Sequence, residues 1–164
     1  TPALVGAGAL TPTGVSNENI YTENAEWTPS TNNGTVNFNA STNPFQGTKH
    51  IDCGAFTNGQ YLKFVDNVTN QIADFGQIGI AISLKNTFSN STKFSIRLYN
   101  GVTGISSTVI VNSGTYNFDR TIVNAYQLIV IPISAFTFSS SAFTASFNDL
   151  TASRRARCAS TISF

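Results

Sequence analysis

Few side chains in this sequence could carry out chemistry. His50 is the only histidine, so a histidine-based triad or a two-histidine metal site would need it at the centre. It stands beside Ile51 in a strand-like stretch, which favours a structural role. Five aspartates fall mostly in predicted turns or at strand ends, where aspartate commonly forms the turn itself. They are Asp52, Asp66, Asp74, Asp119 and Asp149. No glycine spacing matches a phosphate-binding loop. The sequence therefore predicts a chain without catalytic activity.

Saccharide binding requires less than catalysis. It needs an aromatic face for the apolar side of a sugar ring and polar side chains for the hydroxyl groups. Residues 77–85 alternate strictly, with Ile78, Ile80, Ile82 and Leu84 on one face, so the outward face of this predicted strand carries the small residues Gly79, Ala81 and Ser83, followed by Lys85. A row of such small residues would leave a shallow trough on the surface of the sheet.

Other strands could supply the borders of this trough. If residues 93–99 pair with residues 77–85 as a hairpin, the outward Arg97 and Tyr99 would lie at its edge, and residues 60–65 present further polar and aromatic side chains on one face. A lone tryptophan early in a sandwich is a second aromatic candidate, although it is also commonly a core residue. A solvated or covered sheet face remains the alternative to a binding site. The candidate carbohydrate-binding residues are Arg97, Tyr99, Ser83, Tyr61, Lys63 and Trp27.

The strand around which the others would pack is residues 126–136. Its run of β-branched residues is typical of a strand buried on both faces, and Pro132 places it at a sheet edge or bends it there. Other strand-sized runs alternate with turn clusters, including a strong hairpin signal at Asn58-Gly59. The further predicted strands are 35–39, 47–53, 60–65, 77–85, 93–99, 108–111, 143–147 and 161–164, with single helical turns at 69–75 and 119–125.

This pattern predicts an all-β fold, an antiparallel β-sandwich of jelly-roll type with about nine strands. The 164 residues suit one domain, which we place at residues 15–164. Residues 1–14 carry no charge and are interpreted as a linker or N-terminal arm. The apolar segment 3–10 would also suit addition as a strand to a neighbouring subunit, and both interpretations stay open.

Composition limits the classes of partner. Charged residues make up 10% of the chain, far below the usual quarter, as is common in secreted, cell-surface and virion β-proteins. A net charge of +1 gives no strong field toward nucleic acid or anionic lipid, and no apolar run is long enough to span a bilayer. The sequence begins at Thr1 without a signal peptide, which predicts a processed or excised piece of a larger protein.

Two cysteines, Cys53 and Cys158, are the only ones in the chain. One interpretation is a disulfide between an early strand and the last one, which would stabilise the fold by several kcal/mol because it closes a long loop. The other is a pair of separate, small buried residues. Together with one histidine they do not make a zinc site.

The order of several short motifs resembles that of galactose-binding-like jelly rolls. The motifs are Asn19-Ile20-Tyr21 followed by Trp27, Gly47-Thr48-Lys49-His50-Ile51, Tyr61-Leu62-Lys63-Phe64, Phe94 to Tyr99 followed by Gly101, Tyr116-Asn117-Phe118-Asp119, and Tyr126-Gln127 through Ile131-Pro132-Ile133-Ser134-Ala135-Phe136. The resemblance covers residues 19–150. It implies the fold of carbohydrate-binding modules and of phage tail-fibre and adhesion proteins.

The end of the chain departs from that family. Such modules usually close with an aromatic strand that carries an aspartate, often a ligand of a structural calcium ion. No carboxylate side chain follows Asp149 in this sequence. The resemblance therefore makes Glu23 and Glu26 calcium candidates that lack the expected partner.

These observations predict a non-catalytic carbohydrate-binding or surface-attachment module that is extracellular, on the cell surface or carried by a virion. Its partner would be a polysaccharide or a cell-surface glycan. The alternative is a structural subunit of a fibre, capsid decoration or extracellular filament, which self-associates through residues 1–10. No nucleic-acid or membrane partner is expected, and a structural calcium ion is the one cofactor that the resemblance suggests.

Overall fold

The computed structural model describes residues 4–5, 20–21, 26–45, 47–87, 89, 93–138, 146–154 and 158–159. Within these ranges the chain forms thirteen strands and two short 3-10 helices, Ile72–Asp74 and Ile133–Ala135. The strands are β1 (Leu4–Val5), β2 (Thr28–Thr31), β3 (Asn37–Ala40), β4 (His50–Asp52), β5 (Ala55–Phe56), β6 (Tyr61–Gln71), β7 (Gln77–Ser83), β8 (Phe94–Asn100), β9 (Thr103–Gly104), β10 (Val109–Val111), β11 (Tyr126–Pro132), β12 (Ser146–Arg154) and β13 (Cys158–Ala159).

Two larger sheets and two small ones make up the fold. A three-stranded sheet has the order β1-β11-β7, and a six-stranded sheet has the order β10-β8-β12-β6-β2 with β9 paired to β8. β13 pairs with β5, and β3 pairs with β4. Every pair is antiparallel except β1 with β11. The predicted all-β fold of antiparallel sheets is confirmed. Several of the thirteen strands have only two residues, which explains why about nine were expected.

Alternating apolar side chains from both larger sheets form one core. Ile129 of β11 is paired with Ile80 of β7, and Leu150 of β12 is paired with both Phe64 of β6 and Leu98 of β8. All five side chains are buried in the same hydrophobic cluster. Burial of one such side chain is worth about 1.5–3 kcal/mol, so this cluster fixes which face of each strand turns inward.

The strand β11 is buried on both faces, as its sequence predicts. Leu128 and Ile129 point to opposite faces, and both are 0% exposed. The outer face is covered by the loop between β3 and β4, where the Phe45 ring lies 5.1 Å from the Tyr126 ring and the Tyr126 hydroxyl donates to the Asn43 carbonyl. Pro132 is the last residue of the strand and leads into the second 3-10 helix.

Two predicted hairpins are wrong. β7 pairs along its length with β11, and β8 pairs with β10, β12 and β9, so β7 and β8 belong to different sheets. Asn58-Gly59 does form a turn, with Gly59 at φ +85°. That turn connects β5 to β6, which pair with β13 and with β12 and β2. In both cases the turn residues shape the connection, but packing selects a partner far away in sequence.

Element boundaries also differ from the predicted ones. The strand expected at 143–147 begins at Ser146 and continues to Arg154, and the turn expected at 119–125 is not helical. The helical turn expected at 69–75 is confirmed as the 3-10 helix Ile72–Asp74. The strand expected at 161–164 lies outside the described residues. No helix in the described ranges is long and apolar enough to cross a membrane.

The side-chain amide of Gln127 attaches a long loop to the core. Gln127 is 0% exposed and lies on the same strand face as Ile129. Its Oε1 accepts from the Asp119 backbone N–H at 2.6 Å, and its Nε2 donates to the carbonyls of Asp119 at 2.8 Å and Ile122 at 3.3 Å. A buried amide must have such partners to offset its desolvation. The loop before β11 is therefore anchored from inside the sandwich.

His50 is a buried side chain that can titrate. It is 4% exposed, and its Nδ1 has no hydrogen-bond partner. Burial lowers the pKa of His50, and the charge of Lys85 lowers it further. The charge of Asp52 and a hydrogen bond with the Ala40 backbone act in the opposite direction. The net effect is a depressed pKa, which favours the neutral imidazole.

Replacement of Gln127 by leucine should lower the free energy of unfolding by about 2–3 kcal/mol, because the Asp119 N–H and its carbonyl lose their partner. Urea denaturation measures this difference. The matched control is Gln71→Leu on the exposed part of β6, which should change stability by less than about 0.5 kcal/mol. Equal effects of the two variants would contradict an anchoring role for Gln127.

The lowered pKa of His50 predicts that stability falls as the medium is acidified. Below an unfolded-state pKa of about 6.5, the unfolded chain takes up a proton that the folded chain resists, so stability drops until the folded pKa is reached. His50→Gln cannot titrate and should flatten the profile of melting temperature against pH between about 7 and 5. Parallel profiles for the two proteins would rule out this contribution.

Candidate functional site

The outer face of the six-stranded sheet collects four of the six predicted binding residues. On β6, Leu62 and Phe64 are buried, so Tyr61 and Lys63 point to the other face. On β8, Ile96 and Leu98 are buried in the same way. The outward side chains there are Arg97 and Tyr99, both partly exposed.

The register of β12 aligns the two strands. Thr151 is paired with Lys63 on one side and with Arg97 on the other. Paired residues of antiparallel strands point to the same face, so Lys63 and Arg97 occupy one row across the sheet. They are separated by two strand spacings, about 9.6 Å. Tyr99 belongs to the next row, where it is paired with Asp149.

The guanidinium of Arg97 is held in one orientation. Its Nε donates to the Ser106 carbonyl at 3.0 Å, and its Cζ lies 5.2 Å from the centre of the Tyr99 ring. Cation–π contact of this kind is worth about 0.5–1 kcal/mol at exposed sites. Among the described residues, no acceptor binds the two terminal nitrogens of Arg97. A fixed cation with unused donors therefore lies beside an aromatic ring.

Gly104 leaves the space that the guanidinium of Arg97 occupies. A Cβ added at Gly104 would lie 2.5 Å from Arg97 Cζ, closer than any real contact of this type, so only glycine leaves room for the planar group to lie against the backbone. Gly104 is paired with Tyr99 in the β8–β9 hairpin. After the hairpin, Ser106 Oγ accepts from the Leu98 N–H at 3.0 Å, which fixes the position of the Ser106 carbonyl as well.

Sequence reasoning missed Gly104 and Ser106. Neither residue belongs to a motif, and a glycine after a predicted strand usually signals a turn. A retrospective signal is the spacing: a short hairpin after Tyr99 must return the chain beside Arg97. The close approach itself depends on the side-chain conformation of Arg97, which no sequence pattern reports.

Tyr61 is positioned by the end of β2. The Asn32 Oδ1 accepts from the Tyr61 backbone N–H at 2.9 Å, and the Thr31 hydroxyl donates to the Tyr61 carbonyl at 2.7 Å. The amide of Asn32 also donates to the Gly59 carbonyl. These contacts extend the ladder between β2 and β6 and fix the backbone of Tyr61 at the start of β6.

The predicted trough does not form. Ala81 is 3% exposed, because the outer face of the three-stranded sheet is covered near Tyr126 rather than open. Ser83 is partly exposed but is paired with Tyr126, in the sheet that contains neither Arg97 nor Tyr99. Trp27 is 1% exposed and belongs to the core, so its ring has no open face for a sugar. Ser83 and Trp27 therefore lie apart from the surface that contains Arg97 and Tyr99.

The predicted calcium site and the predicted disulfide both involve side chains outside the described part of the chain. Glu23 lies outside the described residues, and Glu26 is exposed. Within the described part of the chain, no group of three or more histidine, cysteine or acidic side chains could hold a metal ion. Cys53 is fully buried, and the side chain of Cys158 lies outside the described residues, so the disulfide stays a prediction.

Three of the aspartates form turns, as their positions indicate. The Oδ1 of Asp52 accepts from the Gly54 N–H, that of Asp66 from the Val68 N–H, and that of Asp119 from the Thr121 N–H. The hydroxyl and backbone hydrogen bonds from Thr121 lower the pKa of Asp119. Asp52 also forms an exposed ion pair of 3.2 Å with Lys85, near the buried His50.

Comparison with known proteins gives a structural similarity but no family. No protein-family model matches the sequence, and no curated protein matches it either. The fold is similar to part of a crystal structure of the enzymatically active domain of bacteriophage CBA120 tailspike protein 4, with 14% sequence identity and a TM-score of 0.42. The match covers 92% of this chain and 20% of the tailspike chain, so this chain spans about a fifth of that length.

This comparison corrects one prediction and leaves another unconfirmed. The prediction of a chain without catalytic activity is contradicted, because the matched tailspike domain is described as enzymatically active. At this identity and TM-score the match identifies neither an active site nor a substrate in the present chain. The resemblance to galactose-binding-like jelly rolls is not confirmed, and what is shown is an all-β fold built of antiparallel sheets.

Proposed function

We propose that this chain binds carbohydrate on the outer face of its six-stranded sheet and attaches an extracellular or virion-borne assembly to a glycan-bearing surface. The observation that carries the proposal is the fixed guanidinium of Arg97, with the Tyr99 ring beside it and terminal nitrogens that no acceptor of the described residues binds. The other residues of this surface are Tyr61 and Lys63 on β6.

The arrangement suits sugars for two reasons. Aromatic rings bind the apolar faces of pyranoses, and charged donors form stronger hydrogen bonds with hydroxyl and carboxylate oxygens than neutral donors do. Arg97 is also oriented before a ligand arrives. Because immobilising a long side chain costs about 0.5–1.5 kcal/mol on binding, an arginine already held by Ser106 and Gly104 loses less on complex formation.

A second function has one observation in its favour. Leu4 and Val5 lie beside Tyr126 and Gln127 as a parallel strand at the edge of the three-stranded sheet. The same edge would accept the corresponding segment of a neighbouring copy by strand addition. The chain would then be a subunit of a fibre, capsid decoration or filament.

Titration calorimetry against a panel of soluble oligosaccharides and polysaccharides tests the binding function. Arg97→Ala and Tyr99→Ala should each weaken binding of the recognised glycan about 10- to 100-fold, as expected for loss of one charged hydrogen-bonding group or one stacking ring. Failure of the wild-type chain to bind any member of a broad panel would refute the function.

Gly104→Ala gives a sharper version of this test, because it displaces the guanidinium and leaves both Arg97 and Tyr99 in the chain. The control is Gly34→Ala, where an added Cβ meets no atom within 4 Å. We expect Gly104→Ala to weaken binding and Gly34→Ala to leave it unchanged. Identical affinities would show that the orientation of Arg97 is irrelevant to the ligand.

Deletion of residues 1–10 tests the second function. If the arm joins subunits, light scattering should show assemblies of the full chain and monomers of the truncated one. Val5→Pro is the one-residue counterpart, since proline removes a backbone donor from the added strand and should weaken assembly without shortening the chain. Unchanged mass distributions for both variants would exclude assembly through the arm.

A further inference from the structure

We propose that the surface around Arg97 selects saccharides that carry a carboxylate, such as uronates or sialates. The inference rests on the proposed carbohydrate-binding function, since it names the ligand class of the same surface. It is carried by the orientation of the guanidinium and by its terminal nitrogens, which no acceptor binds among the described residues.

The bound Nε leaves the end of the guanidinium available. With Nε donating to Ser106 and the plane of the group lying against Gly104, the two terminal nitrogens form the remaining edge. Two parallel N–H groups on that edge match the two oxygens of a carboxylate, which is the bidentate geometry that arginine adopts with planar acids. A single hydroxyl group uses only part of this capacity.

The row of register partners that contains the Arg97 backbone includes no acidic residue. Its members in register are Ser30, Lys63, Thr151 and Arg97. The nearest acidic position by register is Asp149 in the next row, paired with Tyr99. Asp66, further along β6, uses both carboxylate oxygens within its own turn, on the Val68 N–H and the Asn70 amide. No aspartate or glutamate of the described side chains therefore neutralises Arg97.

Partial burial strengthens the interaction of Arg97 with an anion. Arg97 is only partly exposed, and a charge in such a place is less fully hydrated than one in open solvent, so its interaction with an anion is stronger than between two freely hydrated ions. A carboxylate bound by the terminal nitrogens of Arg97 would meet this positive charge directly. A neutral sugar would gain hydrogen bonds at the same place but not this electrostatic contribution.

Matched pairs of ligands test the inference. Oligogalacturonate is compared with its methyl ester, and sialyllactose with its carboxyl methyl ester, because each pair differs chiefly in the charge of the carboxylate. Calorimetry on the full chain should give at least about tenfold tighter binding of the acidic member of a recognised pair, and Arg97→Ala should abolish the preference. Arg97→Lys keeps the positive charge but loses the two parallel N–H donors, so it should retain only part of the preference for the acidic ligand.

A charge elsewhere on the protein provides the control. Lys85→Gln removes one exposed cation, which is paired with Asp52 outside the six-stranded sheet, and should leave the preference intact. Equal or tighter binding of the neutral members, still dependent on Arg97 and Tyr99, would overturn carboxylate selection while the carbohydrate-binding function stands. If Lys85→Gln lost the preference to the same extent, the preference would be an effect of net charge, and carboxylate selection by Arg97 would be refuted. No binding of any member, or of the wider panel, would overturn both proposals.

Discussion

The double pairing of β12 is the constraint on which the candidate site depends. Leu150 enters the core between Phe64 and Leu98, and that buried contact sets the register of three strands at once. Because side chains alternate between faces, the same register places Lys63 and Arg97 on the outside, in one row with Thr151. A slip of one residue in β12 would exchange its inner and outer faces, expose Leu150 and leave a gap in the core. The stability of the apolar interior thus determines the geometry of the polar surface.

The sequence shows which face of a strand each side chain occupies, but not which strands pair with one another. Strict alternation identifies Tyr61 with Lys63, and Arg97 with Tyr99, as outward pairs, and this part of the candidate site follows from period two alone. Pairing is a different problem, because β6 and β8 are joined through a strand that begins at Ser146. Short hairpins are favoured locally by a small loop-closure cost, which is why β7 and β8 look like neighbours. In the structure β7 pairs instead with the apolar strand β11, over seven consecutive residue pairs.

The orientation of Arg97 illustrates a second limit on what sequence can predict. An arginine on an exposed strand face normally samples many rotamers, and fixing it costs conformational entropy. Here the cost is offset by one charged hydrogen bond, one ring contact and a glycine that admits the guanidinium. The carbonyl of Ser106 and the glycine follow β8 in the chain, the ring belongs to β8 itself, and none of these contributions is visible as a motif. The type of residue at the site is readable from the sequence, whereas its preorganisation is a property of the folded backbone.

The abundance of amide side chains acquires a structural explanation beyond surface solubility. Asn33 is 4% exposed, and its amide donates to the carbonyls of Cys53 and Ala55 while its oxygen accepts from Thr35. Gln127 serves the loop before β11 in the same manner, and Asn32 continues a ladder where β2 ends. An amide carries a donor and an acceptor like a peptide group, so it can replace missing ladder partners without burying a charge. In a fold of short strands and many irregular connections, a low charge content and a high amide content are therefore two results of one requirement, the satisfaction of backbone hydrogen bonds where the sheets end.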